Sequence, residues 1–573
     1  MSEPAGLTSH SISAPARQLP RQQQLHLLRA LALEAGWRHL ALLSGLSILS
    51  SLLDIAGLGL AITLLLGSGS RGAQALPLPL SLSLLVGLVL LRGLIQARVD
   101  ISRERLRSGF TDRLRQQLLH RVFAASSSQL ERIGRGDLLA LLMVDINRSA
   151  LGLDQAVRMG QALLAMVIYL ASVLLVGRIA AWPLLLALVA TATAALLQRS
   201  GSWGLGRIQS RLNAALQRTV GDGLHGLKAV RAAAAETWLL ERFAQETAEG
   251  RWLLRERVRR RAGFNAWRDT LVVAIAGGWL LVQGDGLNAE VLTTTLVLAY
   301  RAGASLSAVV RARRMCLGNL PGYEALRERR QLLKTLNPAA QEQTLPTPAC
   351  ERLLHQPWHS LTWQSDAAAQ PSPAKLQLNT GQLVAITGPS GCGKTSCLDR
   401  VCGLLDEEQS HWTIRSAAGQ WQLQGLAAAQ QLHQFIAYAP QNAVLFETSL
   451  RDNLLLGGEQ SEASISTWLQ RLGLEHLLER DDGLKAPMAL AQEPFSGGEV
   501  HRLGLLRAWL RERPVEVLDE PTAFLDAESA AKVRAVINER SQTRLVLVST
   551  HDPELLEQAD QVISLGAADR ARL

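Results

Sequence analysis

Residues 495–510 read FSGGEVHRLGLLRAWL, and their pattern decides how the second half of this chain folds. Ser496, Gly497 and Gly498 stand immediately before an amphipathic helical pattern, and Glu499 opens its first turn. The start of a helix exposes unpaired N–H groups and a partial positive charge, so small residues there invite an anion. A second helix start of this kind lies upstream, in GQLVAITGPSGCGKTSCLDRVCGLL, residues 381–405. That stretch reads as an apolar strand, a Gly-rich turn and a helix, the context in which GxxxxGK[ST] carries meaning.

In the upstream loop Gly388, Gly391 and Gly393 let the backbone bend so that its N–H groups face a phosphate chain. Pro389, Ser390, Cys392 and Ser396 complete the wrap; Lys394 is placed for the β- and γ-phosphates of ATP, and Thr395 for Mg²⁺. Farther on, VEVLDEPT is an apolar strand ending in Asp519 and Glu520. Adjacent carboxylates at a strand end suit two tasks, holding Mg²⁺ and polarising an attacking water. Another strand, RLVLVST, runs into His551, placed to hydrogen-bond a γ-phosphate. One nucleotide does not need two anion-binding helix starts from one subunit. The pair makes sense if two copies face each other head to tail, each closing the other's ATP.

The chain has 573 residues, too many for one ordinary domain, and its halves differ in composition. Apolar runs fill residues 39–310, whereas the remainder has the make-up of a soluble α/β domain. The net charge is +9, but most basic residues flank apolar runs, so membrane orientation explains them and no nucleic-acid partner is expected. Five cysteines form no CxxC pair, which argues against a zinc site or a disulfide framework. Residues 1–24 read as a flexible tail whose polar start lacks the apolar core of a cleavable signal peptide.

A membrane-crossing helix needs about 20 mostly apolar residues. Candidate spans are 39–67, 76–97, 155–177, 181–198, 266–284 and 287–310. The connections at 98–154 and 199–265 are long, Arg-dense and helical in pattern, while the others are short. Under the positive-inside rule the long ones are cytoplasmic, so six spans leave both chain ends inside, where ATP is. The expected division is a transmembrane domain over 25–333, a Pro-, Ala- and Gln-rich linker over 334–350 and a nucleotide-binding domain over 351–573.

Asp54 and Arg301 fall near the middle of the first and sixth spans, and a charge there must face protein or a wet cavity. The favoured reading is that they pair with each other or cap a kink; the other is that Arg301 meets an anionic part of a cargo. Arg92 is expected to snorkel to the cytoplasmic interface.

Taken together and in order, these motifs resemble those of an ABC transporter nucleotide-binding domain. APQNAVLF (439–446) resembles the Q-loop, AFLD (523–526) the D-loop and STHD (549–552) the H-loop. With six preceding spans the whole chain is similar to an exporter-type half-transporter of the lipid-flippase and multidrug kind. The resemblance implies an all-α six-helix transmembrane domain with long cytoplasmic hairpins, followed by an α/β P-loop ATPase. Residue by residue it implies that Trp363 stacks on adenine, with Trp358 as a substitute. Gln441 would touch Mg²⁺ and the attacking water, Asp519 would ligate Mg²⁺, and Glu520 would be the catalytic base. His551 would contact the γ-phosphate, while Asp526 and the Ser496–Glu499 stretch would act across a dimer interface. Phe495 and Glu499 depart from the commoner Leu and Gln, and KAPMALAQEP (485–494) lacks the usual exporter segment.

The expected function is ATP-driven export of an amphipathic or hydrophobic substrate by alternating access, in a homodimer or heterodimer within a bacterial inner membrane. The alternative is an ATP-gated regulatory or channel-like membrane protein using the same ATP sandwich. The cargo is not legible, although Arg301 tilts the reading toward an anionic head group.

Overall fold

A computed structural model describes residues 21–66, 77–178, 202–245, 289–333, 345–365, 375–405, 409–480, 482–488 and 495–566, with isolated positions besides. The chain divides into two compact units, residues 1–124 with 133–335, and residues 125–132 with 336–573.

The described part of the first unit is helical. Its helices are α1 (Arg21–Ala35), α2 (Trp37–Leu66) and α3 (Leu78–Phe123). The short α4 (Ser127–Ile133) precedes α5 (Arg135–Ala140) and, beyond one π-turn, α6 (Ile146–Gly177). Then come α7 (Ser202–His225), α8 (Leu227–Ala232) and α9 (Ala289–Leu332). Three stretches, Trp37–Leu65, Leu78–Phe123 and Gly136–Gly177, are long and apolar enough to cross a membrane. Helix α9 contains the run expected as a sixth span, and the expected spans 181–198 and 266–284 lie almost wholly outside the described residues.

At 1.5 Å per residue the 46 residues of α3 reach about 69 Å, more than twice a hydrocarbon core. Its sequence changes character along the way. Before Val99 it is largely apolar, with Leu80, Leu84, Leu90 and Leu94 exposed and Arg92 against α2, whereas beyond it Leu106, Phe110, Leu114 and Leu118 form one buried stripe. The first part suits lipid over much of its surface and the second suits a helix packed along one face. The Arg-dense connection is therefore one continuous helix as far as Phe123, where Ala124–Ser126 turn the chain. Helix α4 clusters with the second unit, where the Ser127 hydroxyl donates to the Leu404 carbonyl.

After α10 (Thr347–His355) the second unit builds two sheets. Strands β1 (Trp358–Ser365), β2 (Lys375–Asn379), β4 (Ser410–Ser416) and β5 (Gly419–Gln424) form an antiparallel sheet in the order β2-β1-β4-β5. Strands β3 (Leu383–Thr387), β6 (Ile436–Ala439), β7 (Val515–Asp519), β8 (Leu545–Ser549) and β9 (Gln561–Ser564) form a parallel one, ordered β6-β7-β8-β3-β9. The helices between them are α11 (Lys394–Val401), α12 (Leu426–Leu432), α13 (Leu450–Leu455), α14 (Glu462–Arg471), α15 (Gly497–Trp509), α16 (Ala527–Ser541) and α17 (Pro553–Gln558).

Strands β7 and β8 are buried throughout, as parallel strands covered on both faces should be. Successive side chains serve opposite cores: Val515, Val517, Leu545 and Leu547 face one, and Leu518, Val546 and Val548 the other. Glu516 shares the strand face of Leu518 and is only 1% exposed. Arg540 of α16 satisfies it, its Nε donating to Oε1 and Oε2 at 2.7 and 2.9 Å, with Arg544 Nε 3.5 Å away. Removing one partner of such a pair strands a buried charge, which costs about 3–5 kcal/mol. Glu516→Ala is therefore expected to lower the unfolding midpoint of the second unit by that equivalent, measured by thermal or denaturant unfolding. A change under about 1 kcal/mol would show that Arg540 finds water or another acceptor.

Candidate ATP-binding site

The site lies at the C-terminal ends of β3, β7 and β8, where an open parallel sheet presents ligands. Strand β3 ends at Thr387 and α11 starts at Lys394, so the Gly-rich loop is the turn between them. Gly388, Gly391 and Gly393 all have positive φ. At Gly388 an added Cβ would come within 2.6 Å of the Leu565 carbonyl, so no side chain fits. Gly391 and Gly393 face open space, as do exposed Pro389 and Ser390; Cys392 is buried beneath the loop. Ser396 sits in the first turn of α11, half-buried.

Lys394 points back under its own loop. Its Nζ donates to the Gly388 carbonyl at 3.0 Å, lies 2.7 Å from His551 Nε2 and is 3.7 Å from Glu520 Oε1. An ammonium has no acceptor, so His551 Nε2 accepts and its ring proton sits on Nδ1. His551 Nε2 is also 3.6 Å from Glu520 Oε1. Next to this trio the Thr395 hydroxyl donates to Asp519 Oδ2 at 2.8 Å, and the Ser549 hydroxyl donates to Asp519 Oδ1. Residues from the start of α11 and from the ends of β7 and β8 thus meet around one open loop.

These groups fit ATP with Mg²⁺. The loop offers outward N–H groups and one lysine for phosphates, and Thr395 with Asp519 supplies the hard oxygen donors that Mg²⁺ requires. Among the described residues no three His, Cys, Asp or Glu side chains cluster as a metal cage. Such a sparse set is the kind that phosphate oxygens complete.

Ser496 caps α15 in a reciprocal capping box with Glu499. The Ser496 N–H and hydroxyl both donate to Glu499 Oε2 at 2.8 Å, and His476 Nε2 lies 2.8 Å from Oε1. Burial pushes the Glu499 carboxyl up, but the Ser496 amide and hydroxyl and the His476 ring outweigh it and hold it below the usual range. This stabilisation is complete above the ordinary value of 4.5 and is lost as pH falls below it, through the lowered folded value. Gly497 is exposed, and Gly498 lies under the Phe524 carbonyl, 3.2 Å from where its Cβ would be. Asp526 is exposed as the cap of α16, and the Ser529 amide and hydroxyl hold its carboxyl below the usual range. Gln441 is half-buried, its carbonyl 3.3 Å from His501 Nδ1.

Trp363 departs from expectation. Its ring is 1% exposed in the core between the sheets, and its indole N–H donates to Ser410 Oγ at 3.1 Å. Trp358, the suggested substitute, is equally buried, with its N–H on the Leu353 carbonyl at 2.9 Å. Neither presents a face for adenine. Residue spacing located the aromatic but not the side of the strand to which the pleat turns it. Sequence reading also passed over Ser549 and the Tyr438 hydroxyl, which donates to Asp399 at 2.9 Å. Ser549 left one trace, a polar residue at the end of an apolar strand, whereas Tyr438 lies within one.

This geometry is that of a P-loop ATPase site, and the known proteins to which the chain is similar are ABC transporters. Residues 372–523 match the family described as ABC transporter. The chain is 36% identical over 189 residues to the glutathione/L-cysteine transport system ATP-binding/permease protein CydC of Escherichia coli. That alignment covers 33% of this chain and 32% of the relative. It is 26% identical over 338 residues, 56% of each chain, to the corresponding CydD protein of Bacillus subtilis. An ATP-dependent lipid A-core flippase of Polaromonas is 30% identical over 210 residues, 36% of this chain and 35% of that one. The chain thus spans between a third and about half the length of these relatives. In fold the likeness is nearly complete: a bacterial Atm1-family ABC exporter with ATP bound superposes with a TM-score of 0.69 at 19% identity, over 94% of this chain and 93% of that one. The fold is that of an exporter-type half-transporter, helices first and ATPase after.

Burial of Trp363 makes it a packing residue. Trp363→Ala is expected to cost about 3–5 kcal/mol of stability, as large-to-small core changes do. ATP affinity of the folded fraction, measured by fluorescent-nucleotide displacement, should stay within a few-fold of wild type. A loss beyond tenfold at unchanged stability would restore the stacking role.

Proposed function

We propose that this chain is one half of an ATP-driven exporter, and that hydrolysis of ATP between two such halves moves an amphipathic cargo across or between leaflets of a membrane. The observation that carries the reading is the meeting of Lys394, His551 and Glu520 beside the Thr395–Asp519 pair. Likeness to exporters over nearly the whole fold supports it.

The loop N–H groups and Lys394 bind and orient the β- and γ-phosphates, gaining the charge-assisted hydrogen bonds that helix starts offer. Thr395, Asp519 and Gln441 would hold Mg²⁺, which would offset the negative charge of the phosphates. Glu520 lies next to where the γ-phosphate must sit if Lys394 reaches it, and accepts the proton of the attacking water. His551 contacts the γ-phosphate once its Nε2 carries a proton, the tautomer opposite to the one that accepts from Lys394. Ser496, Gly497 and Asp526 are exposed, available to a second subunit, identical or different. Closure of the two halves on ATP, transmitted to the helices, would alternate access to the cargo. The distribution of arginines supports six spans with both chain ends in the cytoplasm, and a bacterial inner membrane is the setting proposed for them. The domain limits stay at 25–333 and 351–573, joined by 334–350.

Cargo is a matter of chemistry here. Relatives are named for glutathione and L-cysteine, for lipid A-core and for β-(1→2)glucan, so their names do not share one cargo class.

Glu520→Gln in the full chain is expected to bind ATP with near wild-type affinity yet lower turnover by about 10²–10⁴-fold, the usual worth of a general base. Lys394→Ala should instead weaken nucleotide binding itself. Phosphate release and nucleotide binding measured in parallel separate the two. Turnover near wild type in Glu520→Gln would remove Glu520 as the base.

A further inference from the structure

Four side chains from four helices meet within the helical unit. Asp54 of α2 is buried, its side chain 3% exposed. Arg92 Nη1 of α3 lies 2.6 Å from its Oδ1, and Arg301 Nη1 of α9 lies 3.7 Å from its Oδ2. The Tyr169 hydroxyl of α6 donates to the same Oδ2 at 2.5 Å. Arg92, expected to snorkel away, is therefore the nearer of two cations on one carboxylate.

The cluster is unbalanced. One carboxylate and two guanidiniums leave a charge of +1, and among the described residues no second carboxylate pairs with either arginine. A guanidinium carries five donors, and the Arg92 and Arg301 side chains remain 39% and 37% exposed. Joining the helices takes one arginine per aspartate. A second one, set among apolar runs where an unmatched charge is costly, calls for an anion to answer it.

We propose that Arg92 and Arg301 form an anion subsite, with Asp54 as resident counter-ion, that takes the carboxylate or phosphate of an amphipathic cargo. It rests on the transport reading above and names that cargo's class, an amphiphile with one acid group. The incoming acid neutralises the cluster and takes guanidinium donors that Asp54 leaves unused; Tyr169 keeps Asp54 in place. Asp54 also sets the strength of the site, because it competes with the ligand for the same cations.

The test measures binding without nucleotide, so that it stands apart from hydrolysis. Full-length protein in phosphatidylcholine vesicles is titrated with N-decanoylglycine and with its uncharged amide, followed by tryptophan fluorescence. The acid is expected to bind at least about tenfold tighter than the amide, the equivalent of one charge-assisted hydrogen bond. Arg92→Gln and Arg301→Gln should each erase about tenfold for the acid alone, and each leaves Asp54 a partner, so the fold has no charge stranded. Arg301→Lys keeps the charge and should stay within a few-fold. Asp54→Asn keeps an acceptor for Tyr169 and should bind the acid more tightly, which a merely structural ion pair does not predict. In a second arm, phosphatidylglycerol in the vesicles replaces the free acid. Competition between the two assigns the site to a lipid head group, and absence of competition assigns it to a soluble acid; the subsite stands in either case. Equal binding of acid and amide by wild type, or weaker acid binding by a folded Asp54→Asn, overturns it. Failed hydrolysis with intact acid selectivity would instead strike the transport reading and leave the subsite standing.

Discussion

One buried hydroxyl holds the catalytic end of the sheet together. Ser549, the last residue of β8, donates to Asp519 and accepts from the Glu520 N–H at 3.1 Å, while its carbonyl accepts from the same N–H at 3.0 Å. Asp519 in turn accepts from Thr395 at the start of α11. The chain of contacts β8–β7–α11 fixes Thr395 and Asp519, proposed to hold Mg²⁺, and Glu520, the proposed base, relative to the phosphate loop. Ser549 and Asp519 are buried and Glu520 is half-buried, so their bonds are strong and an unmade one would be costly, whereas Thr395 stays exposed toward the loop. Preorganisation of this kind is what phosphoryl transfer asks of a protein, since positioning and charge stabilisation supply most of its catalysis.

What the sequence disclosed follows from which constraints leave a trace in residue type. A loop that must turn at Gly388, where even a methyl group would strike the Leu565 carbonyl, can only be written with glycine. Strands buried on both faces must be apolar, so Asp519 and Glu520 at the end of one stood out. The long Arg-dense connection read as helix because nothing in 98–123 breaks the pattern. The fate of Trp363 left no such trace: an aromatic spaced correctly from the loop serves equally as a stacking plate or as core. Its burial is decided by β2 and β4 pairing on either side of it, which are contacts across sequence.

Charges in the helical unit were legible in part. Asp54 and Arg301 announced themselves as unpaired residues in apolar runs, and their pairing was the favoured reading. Arg92 did not stand out, because a basic residue toward the far end of an apolar run has a ready explanation in snorkelling. Only the approach of α2 to α3 brings its guanidinium to 2.6 Å from Asp54 and turns a balanced pair into an excess of positive charge. Hydropathy along one segment cannot show this, since the quantity that matters is a sum over three helices.

The contrast between Glu516 and Glu520 shows how one strand sorts its carboxylates. Glu516 lies within β7, where the pleat turns it into the core opposite the phosphate loop, and the only stable outcome is a full complement of cations from Arg540 and Arg544. Glu520 follows the last strand residue, and its φ of +50° is a left-handed conformation that a residue with a Cβ adopts at a cost. That turn takes its side chain off the strand's alternation and brings it within 3.7 Å of Lys394. The two Ser549 acceptors offset the strain by satisfying its N–H twice. Glu520 meets Lys394 and His551 only at 3.7 and 3.6 Å, whereas both oxygens of Glu516 are clamped by Arg540. The backbone kink, more than the choice of glutamate, brings Glu520 to the place that the proposed role of base requires.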